Sequence, residues 1–217
     1  MHDLSTQYNV ILAAGDFPAH PIPLAALADA EHVVCCDGAA EKLIAYGRRP
    51  DAVVGDMDSL PPALRQSLGD RVVAVAEQDD NDLAKAFRHA LSRGWRRLVI
   101  LGATGRREDH TLANIAWLAD FAPLADDVSM VTDNGVFRAY MPPAASFRAT
   151  PGTQVSIFGF DPEDPVSASG LKFPVERLRL ARWWTASLNE AVSDTVELHF
   201  ASGPLIVFAT HPGLTRP

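Results

Sequence analysis

Short apolar runs that close on glycine or aspartate, with helix-like stretches between them, constrain this chain more than any other feature. Tyr8-Asn9-Val10-Ile11-Leu12-Ala13-Ala14 ends at Gly15-Asp16, and His32-Val33-Val34-Cys35-Cys36 ends at Asp37-Gly38. Asp51-Ala52-Val53-Val54 ends at Gly55-Asp56, and Arg71-Val72-Val73-Ala74-Val75 forms a fourth run. Arg97-Leu98-Val99-Ile100-Leu101 ends at Gly102, and Val128-Ser129-Met130-Val131-Thr132 ends at Asp133-Asn134-Gly135. Between them, Pro21 and Pro23 punctuate a loop before a short helix over 24–30, and a second helix over 39–46 stops at Gly47. Pro61 and Pro62 suit the first turn of a helix after Ser59. Leu83, Ala86, Phe87, Ala90 and Leu91 make one apolar stripe at helical spacing, and Leu112, Ile115, Ala116 and Ala119 make another.

Strand and helix alternating at this spacing predict a mostly parallel sheet covered on both faces. After Pro142-Pro143 the pattern changes to short β-like segments at 154–158, 178–180, 195–200 and 205–209. In Thr195-Val196-Glu197-Leu198-His199-Phe200 the apolar residues alternate onto one face. The expected fold is therefore α/β. Residues 1–140 form a Rossmann-like, mostly parallel sheet with flanking helices, and 141–217 form a C-terminal antiparallel β-sandwich domain.

Composition removes several functions. The 217 residues carry 19 Lys+Arg against 27 Asp+Glu, a net charge of −8, which repels nucleic-acid backbones. The excess is uneven: 20 acidic and 13 basic residues lie in 1–140, against 7 and 6 in 141–217. No apolar run approaches the roughly 20 residues of a membrane span. Met1-His2-Asp3-Leu4 lacks the basic-then-apolar layout of a signal peptide, so a cytoplasmic location is expected. Cys35 and Cys36 are adjacent and point to opposite faces of a strand, which suits two buried thiols in a reducing compartment.

In an open α/β sheet, ligands bind beyond the carboxyl ends of the strands. Asp16, Asp37, Asp56 and Asp58 lie there, and the fourth strand leads into Asp79-Asp80-Asn81-Asp82. Gathered carboxylates raise one another's pKa unless cations intervene. Oxygen donors without Cys or His pairs favour magnesium over zinc, and magnesium shares its shell with substrate phosphates. Gly102-Ala103-Thr104-Gly105 before a helix is a candidate phosphate cradle, with Arg107 adding a forked contact. Each residue also has a structural alternative. Asp56 and Asp58 suit turns or caps, Asp82 suits an N-cap, Lys85 a solvated helix face, and His110 with Asn114 a polar i, i+4 pair. Capping alone would scatter the acids over both ends of the sheet, whereas they share one.

These residues fall into blocks that resemble the bacterial thiamine pyrophosphokinase family. The blocks are Asp37-Gly38-Ala39, then Pro50-Asp51 with Gly55-Asp56-Met57-Asp58-Ser59, then Asp79-Asp80-Asn81-Asp82-Leu83-Ala84-Lys85-Ala86. The longest runs from Gly102-Ala103-Thr104-Gly105-Arg106-Arg107 through Glu108-Asp109-His110-Thr111-Leu112-Ala113-Asn114. Gly170-Leu171-Lys172-Phe173-Pro174, Ser187-Leu188-Asn189-Glu190 and Ser202-Gly203-Pro204-Leu205 resemble the family's β domain. Asn81 stands where the family often has Thr, Arg106 fills a common glycine position, and Leu188 separates a Ser-Asn pair that is usually adjacent.

The resemblance implies transfer of a diphosphate from ATP to the thiamine hydroxyl, giving thiamine diphosphate and AMP. It implies a homodimer in which the partner's β domain helps to hold thiamine. Asp56, Asp58, Asp79 and Asp82 would then hold magnesium ions. Arg107 would steady phosphates, with Asp109 orienting it or acting through a metal-bound water. Asp37, Ser59, Lys85, Gly102, Thr104, Gly105, His110 and Asn114 fall on the ATP side. Ser187, Asn189, Trp183 and Trp184 fall on the thiamine side, where a tryptophan face suits the cationic thiazolium. Two alternatives stand beside this: a hydroxymethylpterin diphosphokinase on the same core, and a nucleotide-sensing module without catalysis. A metal-dependent phosphatase is a third.

Overall fold

The computed structural model describes residues 7–77 and 79–214, so Met1-His2-Asp3-Leu4 lies outside the described residues. The chain divides into two compact units. One runs up to Trp117 and takes in Leu124–Asp133; the other comprises Leu118–Pro123 and the chain from Asn134 onward.

The first unit alternates as the periodicity predicts. Its elements are β1 (Asn9–Leu12), α1 (Pro21–Asp29), β2 (Val33–Cys36), α2 (Ala39–Ala45), β3 (Ala52–Gly55) and α3 (Pro62–Leu68). Then follow β4 (Val72–Ala74), α4 (Asp82–Ser92), β5 (Arg97–Leu101), α5 (Glu108–Phe121) and β6 (Asp127–Val131). Every residue of β1, β2 and β3 is buried, as in a parallel sheet covered on both sides. The strands are hydrogen-bonded in the order β4-β3-β2-β1-β5-β6, all parallel, with Val10 opposite Val33 on one side and Val99 on the other. The order reverses between β1 and β5, and that switch point is where such sheets bind ligands.

Two local features explain the helices nearest the site. α1 starts at Pro21, so both prolines expected in a loop lie in its first turn, where a missing N–H leaves no bond unmade. His20 caps it, its Nδ1 accepting from the Ile22 N–H at 3.2 Å. α4 carries the strongest apolar stripe, burying Leu83, Ala86, Phe87 and Ala90 while packing on β2 and β3. Truncating a fully buried aromatic such as Phe87 to Ala costs about 3–5 kcal/mol. β4 is shorter than the run 71–75 suggests.

The second unit holds β7 (Gly135–Tyr140), β8 (Ala144–Arg148), β9 (Gln154–Gly159) and β10 (Pro165–Ser169). β11 (Val175–Arg179), β12 (Ala186–Glu190), β13 (Thr195–His199) and β14 (Leu205–Thr210) complete it. β12-β9-β14-β7 and β11-β10-β13-β8 form two antiparallel layers. Val155, Ile157, Val166, Val175, Val196, Leu198, Leu205 and Val207 from both layers share one core, as in a sandwich. Four of these strands, β7, β8, β10 and β12, lie outside the segments picked out by hydrophobic patterning. Cys35 and Cys36 are buried free thiols, and burial pushes both well above the usual thiol range. No helix among the described residues is long and apolar enough to cross a membrane.

Candidate active site

Adjacent strands deliver the acidic rim. Asp37 follows β2, Asp56 and Asp58 follow β3, and Asp82 is the first residue of α4. Gly55 lets these segments approach: a Cβ there would lie 3.0 Å from the Asp37 Cβ and 3.3 Å from the Asp82 carboxylate. Asp37, Asp56 and Asp58 each place one carboxylate oxygen within 4.8 Å of the other two. Asp37 is only 3% exposed. Its Oδ2 accepts from the Ser59 N–H at 3.0 Å, while its Oδ1 is buried with no hydrogen-bond partner. An orphaned carboxylate oxygen costs roughly 1–3 kcal/mol or more, so it wants a cation or a proton. Without a cation, burial pushes the Asp37 carboxyl up to about 6, against the Ser59 hydrogen bond and aided by Asp58 and Asp82. A buried oxygen, two further carboxylates and only oxygen donors fit a hard divalent ion.

Asp82 borders this group. Burial raises its carboxyl, Lys85 opposes that, and Asp56 and Asp58 add to it. The Lys85 side chain is 2% exposed and its Nζ lies 3.4 Å from the Asp82 Oδ1, so it is no solvated surface charge. Asp82 is not the cap of α4. Asn81 is, its Oδ1 accepting from the Ala84 N–H at 3.0 Å, which leaves the Asp82 carboxylate for the rim. Asp58 Oδ1 accepts from the Ser59 hydroxyl at 2.9 Å, and Asp56 Oδ1 accepts from the Asp58 N–H at 3.2 Å. Asp79 is exposed and outside the three-carboxylate group.

The loop 102–105 lies at the switch point. Its Gly102 and Thr104 carbonyls accept from the N–H groups of Gly15 and Asp16 at 2.7 and 2.9 Å. The Ala103 carbonyl accepts from Asn114 Nδ2 at 2.8 Å. A side chain at Gly105 would collide with the Asp16 carboxylate, 2.0 Å from the added Cβ, and φ there is +80°. Three successive carbonyls are thus engaged by protein, which leaves the N–H side of the turn to an anion. Arg107 and Asp109 pair bidentately, Nε to Oδ1 at 3.0 Å and Nη2 to Oδ2 at 2.5 Å, on an exposed surface. The Arg107 hydrogen bond holds the Asp109 carboxyl at about 2. His110 follows, exposed, with its N–H on Asp109 Oδ1 at 2.9 Å.

Lys42 escapes the motif argument. The Lys42 Nζ donates to the Gly15 carbonyl at 2.7 Å. Burial, and then Arg106, lower the Lys42 ammonium while Asp16 supports it. Helical spacing from Asp37-Gly38 was the available signal: Lys42 sits one turn into the helix that this block opens. Asp37, Met57 and Arg106 have φ of 39°, 68° and 61°, left-handed values that non-glycine residues rarely adopt and that gather at functional loops.

In the second unit, Trp183 and Trp184 are 61% and 67% exposed, so neither is a core residue. The Arg182 guanidinium lies 5.7 Å from the Trp184 ring centroid. Ser187 is half-buried, and its hydroxyl donates to the Trp184 carbonyl at 2.8 Å. Asn189 is buried. Its Oδ1 accepts from the Phe173 and Glu190 N–H groups at 3.0 and 2.8 Å, and its Nδ2 donates to the Phe173 carbonyl at 2.9 Å. It therefore ties the 173 turn to β12.

A parallel sheet with acids and an anion-ready loop along its carboxyl edge, followed by a β-sandwich, defines a phosphoryl-transfer class of two-domain proteins. The family models agree. Residues 24–132 match the thiamin pyrophosphokinase catalytic domain and residues 135–208 its substrate-binding domain, so the chain belongs to the thiamin pyrophosphokinase family. Its activity is that of a thiamine diphosphokinase, acting on thiamine and a nucleotide substrate. Similar solved structures include thiamin pyrophosphokinase from Geobacillus thermodenitrificans (TM-score 0.77, 24% identity, 95% of this chain and 99% of that one). Those from Bacillus subtilis (0.76, 23%, 94% and 99%) and Candida albicans (0.75, 16%, 94% and 89%) share the fold. No curated protein sequence matches the chain.

Proposed function

We propose that the nucleotide is ATP, that its diphosphate passes to the hydroxyethyl oxygen of thiamine, and that AMP leaves. The observation that carries this is the orphaned Asp37 Oδ1 beside Asp56 and Asp58, a ready-made set of hard donors next to an anion-ready loop. Asp37, Asp56 and Asp58 hold a divalent cation, most simply magnesium. Asp79 and Asp82 extend the rim, with Asp82 steadied by Lys85. When bound, the cation supplies charge neutralisation on the phosphates.

The remaining work is positioning, as in phosphoryl transfer generally. The N–H groups around Gly102, Thr104 and Gly105 receive phosphate oxygens, and Arg107 closes over them with its fork. Asp109 keeps the guanidinium aimed until phosphate competes for it. Ser59 orients Asp37 and Asp58, and His110 flanks Arg107. The α/β domain is the ATP-binding catalytic domain, and the sandwich domain binds thiamine and makes the homodimer. Trp183 and Trp184 offer exposed faces for the thiazolium, with Ser187 beside them, and Asn189 shapes that region by tying the 173 turn to β12. The protein works in the cytoplasm.

The decisive assay follows AMP release with ATP, magnesium and either thiamine or a hydroxymethyl pterin. Thiamine-dependent AMP supports the proposal. AMP only with the pterin, nucleotide binding without AMP, or release of inorganic phosphate would each refute it.

A further inference from the structure

Asn81 and Asn114 form a hydrogen-bonded relay with a direction. At one end the Ala84 N–H donates to Asn81 Oδ1 at 3.0 Å. Asn81 Nδ2 donates to Asn114 Oδ1 at 2.9 Å, and Asn114 Nδ2 donates to the Ala103 carbonyl at 2.8 Å. Both ends are backbone, an N–H at one and a C=O at the other. The orientation of each amide is therefore forced, because turning either one sets donor against donor or acceptor against acceptor. The relay joins the first turn of α4, which bears Asp82 and Lys85, to the middle of the 102–105 loop. The carbonyls on either side of Ala103 are already held by Gly15 and Asp16, so Asn114 secures the remaining one.

We propose that Asn81 and Asn114 are positioning residues for diphosphate transfer: the relay sets the acidic rim and the phosphate loop in register, and Asn114 acts through Ala103 from behind the loop. This rests on reading that loop as the phosphate cradle. The side chain at position 81 must accept from the Ala84 N–H and also donate onward to Asn114 Oδ1. Asn does both with two atoms and a Thr hydroxyl does both with one. Asp accepts but has nothing to donate, so it draws the Asn114 amide group toward itself and away from Ala103.

The test compares Asn81→Asp, Asn81→Thr and Asn114→Leu in the full-length protein, with Asp56→Asn as control. Asn81→Asp and Asn114→Leu are expected to lower kcat/KM for magnesium–ATP by about tenfold to a hundredfold, the scale of a small misplacement of reacting groups. The thiamine KM stays near wild type, and the melting temperature falls by only the few degrees that one unmet hydrogen bond costs, alike in variants with and without the kinetic loss. Asn81→Thr stays within about threefold of wild type, and Asn81→Asp combined with Asn114→Leu is no worse than Asn114→Leu alone, because both break one chain. Wild-type kinetics for Asn114→Leu, equal losses for Asn81→Asp and Asn81→Thr, multiplied losses in the double variant, or losses that follow melting temperature would overturn the relay. If Asp56→Asn is inactive while Asn114→Leu is normal, the relay alone fails. If Asp56→Asn is fully active, the reading of the site fails with it.

Discussion

The acidic rim of the α/β unit and the exposed tryptophans of the sandwich unit were both singled out by residue type, yet they differ in how much the fold finishes them. At the rim, Asp37, Asp56 and Asp58 converge to within 4.8 Å, and Ser59, Lys85 and Asn81 hold their surroundings. In the sandwich, Trp183 and Trp184 face solvent, and Asn189 has its amide bound to the backbone. Charged groups that face each other must be fixed by the fold, because their repulsion disperses them otherwise. An aromatic recognition face carries no such cost and stands finished only when its ligand or partner arrives.

The largest test of that contrast is Asp56→Asn or Asp58→Asn. Either is expected to lower turnover by several powers of ten with the melting temperature kept, read by AMP release and thermal denaturation. Near-normal activity would remove the rim from the chemistry. Next, Arg107→Ala should lower kcat by about a hundredfold to a thousandfold, the scale seen when one transition-state donor is lost. An effect confined to the ATP KM would make Arg107 a binding group only. On the sandwich side, Trp184→Ala should raise the thiamine KM by about tenfold, matching roughly 1–2 kcal/mol of cation–π contact, with kcat kept. An unchanged thiamine KM for both tryptophans would leave that face without a substrate role.

The smallest effect is on stability. The Asp37 carboxyl lies at about 6 in the metal-free fold, above its ordinary value of 3.8. Folding thus favours the protonated form. The stability tied to that proton is whole below about 4 and is lost as pH rises through about 6. In chelator at pH 8, Asp37→Asn should therefore be more stable than wild type, by about 3 kcal/mol. Adding magnesium should stabilise wild type and leave the variant unmoved. A variant less stable than wild type in chelator would show that the Asp37 charge is already neutralised by protein groups.

Much of the first unit was legible because its strands are buried on both faces and each closes on Gly or Asp. The stripe from Leu83 to Leu91 marked α4 for the same reason: burial imposes a period. The starts of elements were less legible. Pro21 and Pro23 look like loop residues, and only the His20 cap shows that they open a helix. The β strands at 135–140, 144–148, 165–169 and 186–190 lack a clean two-residue apolar alternation: β7 is half-buried along almost its whole length, and β8 alternates only between exposed and half-buried positions. Cap chemistry at Asp82 and a solvated helix face at Lys85 were open alternatives in the sequence, and only the fold closes them: Asn81 caps α4, and the Lys85 side chain is buried.

By itself the sequence determined the alternation of elements, the side of the sheet on which acids collect, and the blocks that mark the family, because period and turn chemistry act over a few residues. The tertiary structure decided which carboxylates meet, that Lys42 reaches Gly15, and that two asparagines 33 positions apart share a hydrogen bond. Those facts depend on strand order and on the packing of α4 and α5, which bring distant segments within a few ångströms, and local sequence carries no measure of that distance.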